Sequence, residues 1–506
     1  MPDSHGKTLK LSALYAIGNL TRRGIHVILL PVYTAYLTKA DFGIIALLTV
    51  TGGVLAMLIS TPLVTGGLAR FYYHPDFREK KGVLVFNIAA LLVLLAAVAS
   101  AIWFAAAKGI ASTLLGDVGH RDLVKLYALV LLLWPISILQ LALMNLLQMG
   151  RLFVFICFVE AAATAAVVTV ALTYLKLGVT AVILGSIAGM AATALLGLPV
   201  LLKRARFRLQ PGILSRPLGF GCPLLPEGLS RLVMQVGDRY VLRLLVPLGR
   251  VGLYSLGYGL AEVIDTAIGT PVYDGVNPTI RKLEHDPPRQ RRFIRSSATM
   301  YYLLTVFAGL VLALYSREVV MLLATKREFW PCWVIIPVVT FAFVQQALAP
   351  FLDWGMIMRN KPYHISGVLV ASAVANIALN FLLIPRYGIM GAAVATLVAY
   401  LLWNVLKGYY SWKFYDLRLD LRRLTHITLL GVGVYLLSLV IATWESLWLN
   451  MAIKAFLACC FVALCYTTGV LTAEHKARVQ DFFRRVRAEG LRVAIESLRS
   501  WDGEAD

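Results

Sequence analysis

Apolar stretches long enough to cross a bilayer follow one another through almost the whole of this 506-residue chain. A membrane-spanning helix needs roughly 20 mainly apolar residues, and such stretches recur from Leu11 to Leu471 with only short polar breaks. Because 59% of the residues are hydrophobic and the mean hydropathy is +0.75, a soluble protein of this length is excluded. The sequence predicts an all-α, polytopic membrane protein without a large soluble domain.

The first apolar stretch is too long and too interrupted for a cleaved signal peptide, so we expect it to remain as the first span. The pattern predicts about fourteen spans in all. Their predicted ranges are 11–37, 41–66, 82–107, 123–147, 152–175, 179–202, 218–246, 250–275, 294–316, 331–352, 362–384, 388–406, 424–443 and 449–471.

The distribution of the basic residues behind the net charge of +21 indicates the membrane topology. When Lys125, Arg250 and Arg295, at the very start of predicted spans, are counted with the adjoining loops, 32 of the 48 Lys and Arg residues fall on one side of the membrane and ten on the other. Basic residues concentrate on the cytoplasmic side of membrane proteins. We therefore expect a multi-pass protein of the bacterial inner membrane with both termini in the cytoplasm, whose partner is the lipid bilayer and not a nucleic acid.

The chain contains an internal repeat at an offset of 209 to 210 residues. The offset pairs Gly43 with Gly252, Thr61 with Thr270, Pro62 with Pro271, Gly66 with Gly275, Arg151 with Lys361 and Gly178 with Gly388. Each half has an even number of spans, so the halves are expected to be parallel repeats with a cavity between them.

The repeat predicts two pseudo-symmetric six-helix lobes, followed by two extra helices. The predicted domains are residues 1–204 and 205–410 for the lobes, 420–472 for an extra transmembrane hairpin and 473–506 for a basic cytoplasmic tail. Pro62 and Pro271 would interrupt equivalent helices and remove a backbone hydrogen bond. They are candidate hinges, although a static kink would explain them equally well.

Several arginines lie inside predicted spans, where one charge costs roughly 2.5 to 3.5 kcal/mol. Arg22 and Arg23 lie midway along the first span, and Arg231 is the repeat equivalent of Arg22. Their planar guanidinium groups suit the oxygens of a pyrophosphate. We predict a phosphate site at Arg22, Arg23 and Arg231, with Arg239 and Arg70 as weaker candidates. The alternative is that these arginines only bridge helices or reach an interface.

Four of the acidic residues within or beside the spans are candidate functional residues: Glu160, Glu262, Asp265 and Asp353. They are candidates for coupling a proton or sodium ion, or they are counter-ions for the arginines. The six cysteines show no metal or redox spacing, and there is no nucleotide-binding or nucleophile motif. We therefore expect no cofactor, no metal site and no enzymatic activity.

Several stretches resemble one family of transporters. They are PVYTAYLTKADFGIIALLTV and GGLARFYY in the first two spans, GDRYVLRLLVPLGRVGLYSLGYGLAE from the seventh, and NIALNFLLIPRYGIMGAAVATLVAYLLWN near residue 390. The chain is similar, over about residues 10–410, to the polysaccharide transporter branch of the multidrug/oligosaccharidyl-lipid/polysaccharide flippase superfamily, which includes the O-antigen flippases and the lipid II flippase.

The resemblance implies a flippase that works by alternating access of two six-helix lobes. Its implied substrate is an undecaprenyl-pyrophosphate-linked oligosaccharide for O-antigen, capsule or exopolysaccharide, and a polysaccharide polymerase and glycosyltransferases are possible partners. Two alternatives stay open. A multidrug/cation antiporter of the same superfamily should carry membrane carboxylates in the first lobe. A membrane glycosyltransferase or polymerase should carry catalytic residues in a sizeable external loop.

Overall fold

A computed structural model describes residues 3–359, 361–441 and 447–470. Of residues 3–10, 12 and 13 it describes the backbone alone. The first half begins with a broken helix pair and continues with five long helices. Its helices are α1 (Asp3–Ile28), α2 (Leu30–Tyr36), α3 (Lys39–Ser60), a π-helical segment (Thr61–Leu68), α4 (Ala69–Phe71), α5 (Lys81–Ala105), α6 (Ala107–Ile110), a second π-helical segment (Ala111–Leu115), α7 (Arg121–Leu146), α8 (Gly150–Thr173) and α9 (Val179–Arg204).

The second half repeats this order and adds two helices. Its helices are α10 (Ser215–Gly221), α11 (Leu225–Leu245), α12 (Leu248–Ile264), a π-helical segment (Asp265–Gly269), α13 (Thr270–Lys282), α14 (Pro287–Leu314), α15 (Ser316–Leu323), α16 (Ile336–Ile357), α17 (Pro362–Tyr387), α18 (Ile389–Phe414), α19 (Leu421–Ile441) and α20 (Leu447–Thr467). Short 3-10 turns cover Pro75–Phe77, Val118–His120, Pro211–Leu214, Cys222–Leu224, Leu283–His285 and Arg327–Val334.

Within the described residues, eleven helical stretches are long and apolar enough to cross a membrane. Three further long helices complete the predicted set of about fourteen: α1, α11 and the stretch from α12 to α13. They are less apolar because they carry the charged residues predicted to line the cavity. The all-α, polytopic fold with two six-helix lobes and two extra helices is confirmed.

Backbone geometry supports the repeat. Helices α9 and α18 both have 26 residues, and they begin directly after Gly178 and Gly388. The two glycines have φ values of 56° and 57° with the same ψ of −132°. This conformation is accessible almost only to glycine. The same turn therefore precedes the last helix of both lobes.

Replacing Gly178 with Ala should lower the free energy of unfolding by about 1 to 3 kcal/mol because the new Cβ strains this backbone conformation. No neighbouring atom lies within 4 Å of the Cβ position, so a clash would not contribute. Gly367→Ala, in a helix and also in open space, is the control and should be neutral or slightly stabilising. Thermal unfolding of the purified protein measures both, and equal midpoints would contradict the prediction.

The chain divides into two compact units. Of the described residues, one unit contains those between 3 and 294 and between 316 and 418, and the other contains those between 295 and 315 and between 419 and 470. In the second unit, the Tyr302 and Thr428 hydroxyls are 2.8 Å apart, and the rings of Phe307 and Phe461 stack. The predicted domain boundaries stay a prediction, and the predicted tail, 473–506, lies outside the described residues.

The first turns of α3 and α12 cross at the end of the lobes that we call the distal end; α1 begins at the proximal end. The backbone oxygen of Leu248 leaves no room for a Cβ on Gly43, and that of Lys39 leaves none on Gly252. Lys39 and Leu248 are related by the same 209-residue offset as the two glycines. The contact is therefore pseudo-twofold symmetric, and we call this crossing the distal seal.

Candidate functional site

Arg22 is paired with a carboxylate of its own lobe. Its Nε atom lies 2.9 Å from Glu160 Oε2, which connects α1 to α8. The Thr193 hydroxyl on α9 donates a second bond of 2.9 Å to the same oxygen. The Arg22 side chain retains 26% of its exposure. Glu160 thus has the geometry of a counter-ion, one of the two roles left open by the sequence.

Asp265 brings together cations from both lobes. This carboxylate, in the π-helical segment after α12, is within electrostatic reach of Arg23 on α1 and Arg231 on α11. Thr270 and Glu262 are also near Asp265. Among the described residues no ion pair within 4.0 Å includes Asp265, so two of the three predicted phosphate ligands lie near this acidic residue without being bonded to it. The repeat partner of Arg231 is Arg22, but Arg23 is the arginine that shares Asp265 with it.

Arg231 and Arg23 retain accessible surface. Arg23 is exposed, and Arg231 keeps 49% of its side-chain exposure although its Nη2 atom lies 3.1 Å from Glu227 Oε1. The Ser366 hydroxyl on α17 donates to the other oxygen of Glu227 at 3.4 Å. Both guanidinium groups can thus receive further acceptors without first leaving a buried position.

His26 lies one turn after Arg22 and was not singled out by the sequence analysis. It is exposed and lies within electrostatic reach of Arg22. Its Nδ1 atom is 3.5 Å from the Tyr33 hydroxyl. The spacing of four residues from Arg22 is the signal that could have identified it.

Lys407 is a buried cation that the sequence analysis missed. The twelfth span was predicted to end at 406, but α18 continues to Phe414 and places Lys407 inside the lobe with 1% of its side chain exposed. Its Nζ atom lies 2.6 Å from Asp353 Oδ1 on α16 and 4.4 Å from the centre of the Trp403 ring. Asp353 thus has a cation of its own, and Arg231 is also within electrostatic reach.

Arg239 is buried, with 7% exposure, and its bonds are local. It donates to the Gln235 carbonyl at 2.9 Å and lies 4.4 Å from the centre of the Tyr258 ring. Asp238 is 3.5 Å from it and accepts a hydrogen bond from Tyr254. Since these groups occupy Arg239, it is less available to a ligand in this state than Arg23 or Arg231.

Arg70 lies at the proximal end, exposed, with its guanidinium carbon 4.4 Å from the centre of the Phe220 ring. Asp76 and Arg216 form a second contact there, 2.5 Å apart, and the hydrogen bond from Arg216 lowers the pKa of Asp76. The pair is exposed, so it contributes little to stability. Arg70 thus lies near the start of the second lobe.

Both predicted hinge prolines lie at π-helical segments. Pro62 lies within the segment Thr61–Leu68, and Pro271 is the second residue after the segment Asp265–Gly269. A π-helical turn weakens the regular hydrogen-bond ladder and is common at functional sites. A π-helical segment thus lies at or near each proline, and a hinge role for Pro62 and Pro271 stays a prediction.

The repeat partners Gly66 and Gly275 have different surroundings. Gly66 packs directly against Gly221 on α10, and the backbone of Pro62 leaves no room for a Cβ on Gly221. Gly275 has no atom within 4 Å of its Cβ position. One seam between the lobes is thus tightly packed at the proximal end, whereas the equivalent glycine faces open space.

Replacing Gly221 with Leu should destabilise the fold by about 1 to 3 kcal/mol or more, because an added side chain would overpack this seam. Gly275→Leu is the matched control and should change stability by less than about 0.5 kcal/mol because its position is open. Thermal unfolding in detergent measures both. Equal losses in the two variants would show that the two seams do not differ in packing.

Comparisons with known proteins agree with this fold. The family described as polysaccharide biosynthesis protein matches residues 34–330. A curated relative, the probable low-salt glycan biosynthesis flippase Agl15 of Haloferax volcanii, is 23% identical over 238 residues. That alignment covers 46% of this chain and 49% of the relative, so the chain spans about half the length of the curated relative that it matches.

Two solved transporters show the same fold at low identity. The lipid II flippase MurJ, in an inward closed conformation, superposes with a TM-score of 0.73 and 11% identity over 91% of this chain and 100% of its own. An inward-facing multidrug resistance MATE family transporter of the MOP superfamily superposes with a TM-score of 0.61 and 12% identity. The superposition covers 80% of this chain and 95% of the transporter. The fold is thus a transporter fold. With more than half of its length matched, the chain belongs to the polysaccharide biosynthesis protein family.

Proposed function

We propose that this protein is a flippase that translocates a polyprenyl-pyrophosphate-linked oligosaccharide for the synthesis of a surface polysaccharide. The observation that carries the proposal is that α1 contacts the π-helical segment Asp265–Gly269 and that two accessible arginines, Arg23 and Arg231, one from each lobe, lie within electrostatic reach of Asp265. A site shared between lobes can change its access when the lobes move, as alternating access requires. The relative named as a glycan biosynthesis flippase and the fold shared with the lipid II flippase support this class.

The pyrophosphate would bind by replacing carboxylates. Asp265 and Glu227 lie near the two arginines in the unliganded protein, and a phosphate group offers more oxygens in a geometry that guanidinium forks match. Arg22, one residue before Arg23, would add a third cation. The polyprenyl chain would stay in the lipid, because moving it into a polar chamber would expose apolar surface.

The orientation follows from the distribution of basic residues. We place the proximal end and both termini in the cytoplasm of a bacterial inner membrane. The substrate would then be loaded from the cytoplasmic leaflet with the distal seal closed. A polymerase and glycosyltransferases of the same glycan pathway are the expected partners, because they would consume and supply the lipid-linked unit.

The geometry argues against the cation antiporter that shares this fold. Such a transporter needs a membrane carboxylate free to bind a cation. Glu160, in the first lobe, is paired with Arg22, and Asp353, in the second, is paired with Lys407. Both acidic residues therefore have a fixed cation close by. In the described helices, Glu262 and Asp265 keep the alternative role of ion coupling.

A deletion strain separates the two functions. Loss of the gene should abolish the surface polysaccharide and leave sensitivity to organic cations such as ethidium unchanged, and expression of the protein should restore the polymer. Polymer is measured by gel electrophoresis and resistance by growth. Unchanged polymer together with increased cation sensitivity would favour the antiporter.

A further inference from the structure

Two cations beside the distal seal are bonded to backbone carbonyls of the opposite lobe. Arg243 Nε donates to the Leu114 carbonyl at 2.9 Å, and Lys326 Nζ donates to the Leu37 carbonyl at 3.0 Å. Leu37 ends α2, and Leu114 lies in the last turn of the π-helical segment Ala111–Leu115. Both carbonyls are at helix carboxyl ends, which carry partial negative charge.

Neither cation is matched by a carboxylate. In the described parts of the chain, no ion pair within 4.0 Å includes Arg243 or Lys326. By contrast, Lys39 lies at the same end and pairs with Glu328 at 3.8 Å. A full positive charge held only by a neutral carbonyl keeps most of its attraction for an anion.

The repeat shows that this contact does not need a cation. The equivalent of Arg243 is Thr34, and the equivalent of Leu114 is Leu323. The Thr34 hydroxyl accepts a hydrogen bond from the Thr325 backbone N–H at 2.9 Å and lies 3.4 Å from the Leu323 carbonyl, while its shortest donor contact, at 2.9 Å, is to the Leu30 carbonyl of its own helix. A neutral hydroxyl therefore joins the lobes, in one half of the seal, at the position where Arg243 joins them in the other. The cross-lobe contact therefore does not account for the positive charge of Arg243 in the closed seal.

Opening of the distal seal would release both cations together. Alternating access requires α3 and α12 to separate at their first turns, which would break the bonds to Leu114 and Leu37. One cation would then be free on each flank of the opening. Arg243 lies on one flank. Lys326 lies on the other, together with Thr34, the repeat equivalent of Arg243.

We propose that Arg243 and Lys326 form an exit site that binds the pyrophosphate of the substrate once the distal seal opens. This inference rests on the proposed function. In the closed state each cation donates to a carbonyl of the opposite lobe, so both become available to one pyrophosphate only when the substrate can leave. Release of the phosphate from Arg23 and Arg231 is thereby favoured in the open state alone.

The first test measures binding of inorganic pyrophosphate to purified full-length protein by calorimetry at low salt. The background carries Arg22→Ala, Arg23→Ala and Arg231→Ala, so the central arginines contribute nothing. Adding Gly252→Leu forces the seal apart and should create a pyrophosphate site. Adding Arg243→Gln and Lys326→Gln should weaken that site at least tenfold, while Thr34→Val should leave it unchanged. Binding that survives the two Gln substitutions would overturn the proposal.

The second test does not depend on the folding of the wedged variant. Export of a fluorescent undecaprenyl-pyrophosphate disaccharide is measured in proteoliposomes. Arg243→Gln with Lys326→Gln should slow export about tenfold or more, whereas Thr34→Val, which removes the equivalent bond without changing charge, should stay within about twofold. Equal effects on the export rate would show that the two cations only hold the distal seal closed, and would refute the exit site. Absence of export by the wild-type protein would instead refute the proposed function.

Discussion

Replacing Arg23 and Arg231 together with Ala should lower the affinity for a pyrophosphate-linked lipid by about 100-fold or more. Each hydrogen bond to a charged group is worth about 1.5 to 3 kcal/mol, so two arginines account for roughly 3 kcal/mol or more. The measurement is binding of a fluorescent undecaprenyl-pyrophosphate disaccharide to purified protein. Surface polysaccharide should be lost in cells that make the variant at normal levels.

The matched control removes two arginines elsewhere. Arg121 and Arg386 are exposed, and replacing both with Ala makes the same change in net charge away from Asp265. Binding should stay within about twofold of the wild type. A third variant, Arg23→Lys with Arg231→Lys, keeps the charge but loses the planar fork and should give an intermediate affinity. Equal losses in the control and the test variant would mean that only net charge matters.

Replacing Lys407 with Met should destabilise the protein by about 3 to 5 kcal/mol because Asp353 would remain in the lobe without its cation. The physical reason is the desolvation of a carboxylate that is 19% exposed. The double variant Lys407→Met with Asp353→Leu should recover most of this loss, since apolar residues often replace a buried ion pair at no cost. Retention of monodisperse protein after heating measures the series.

The same double variant tests a functional role for Asp353. If Asp353 is only the partner of Lys407, transport should persist once both charges are gone. A stable double variant that cannot transport would assign ion coupling to this pair. A Lys407→Met variant as stable as the wild type would show that Asp353 does not depend on the lysine.

The fold could be predicted from hydropathy and from the repeat, because both can be read directly from the order of residues along the chain. Gly178 and Gly388 are an example, since the offset predicted their equivalence and their backbone angles agree within one degree. Helix ends were harder to predict. The twelfth span was predicted to end at 406, one residue before Lys407, whereas α18 continues to Phe414. Asp353, the partner of Lys407, lies 54 residues earlier and is brought close only by packing.

The candidate site was predicted in part. Sequence identified the arginines as the unusual residues, but it could not say which would share a carboxylate. Arg22 and Arg23 are neighbours on α1, so their side chains point in different directions. The rotation of α1 about its axis places Arg22 beside Glu160 and Arg23 near Asp265. That choice depends on tertiary packing, which periodicity does not record.

The contacts of the distal seal were also beyond prediction. Gly43 and Gly252 were recognised as equivalent, yet nothing in the sequence indicates that each one packs on the residue that begins the opposite helix. Arg243 and Lys326 differ from their repeat partners, Thr34 and Asp117. Such differences between repeats have meaning only when the contacts of both members are known.

The most direct test of the central claim is transport by the purified protein in proteoliposomes. A fluorescent undecaprenyl-pyrophosphate disaccharide is placed in one leaflet, and its appearance in the other is followed with a membrane-impermeant quencher. We expect the wild-type protein to move the lipid well above the rate in empty liposomes, and Arg23→Ala with Arg231→Ala to remove that increase. Equal rates for the wild type and this variant would contradict the account.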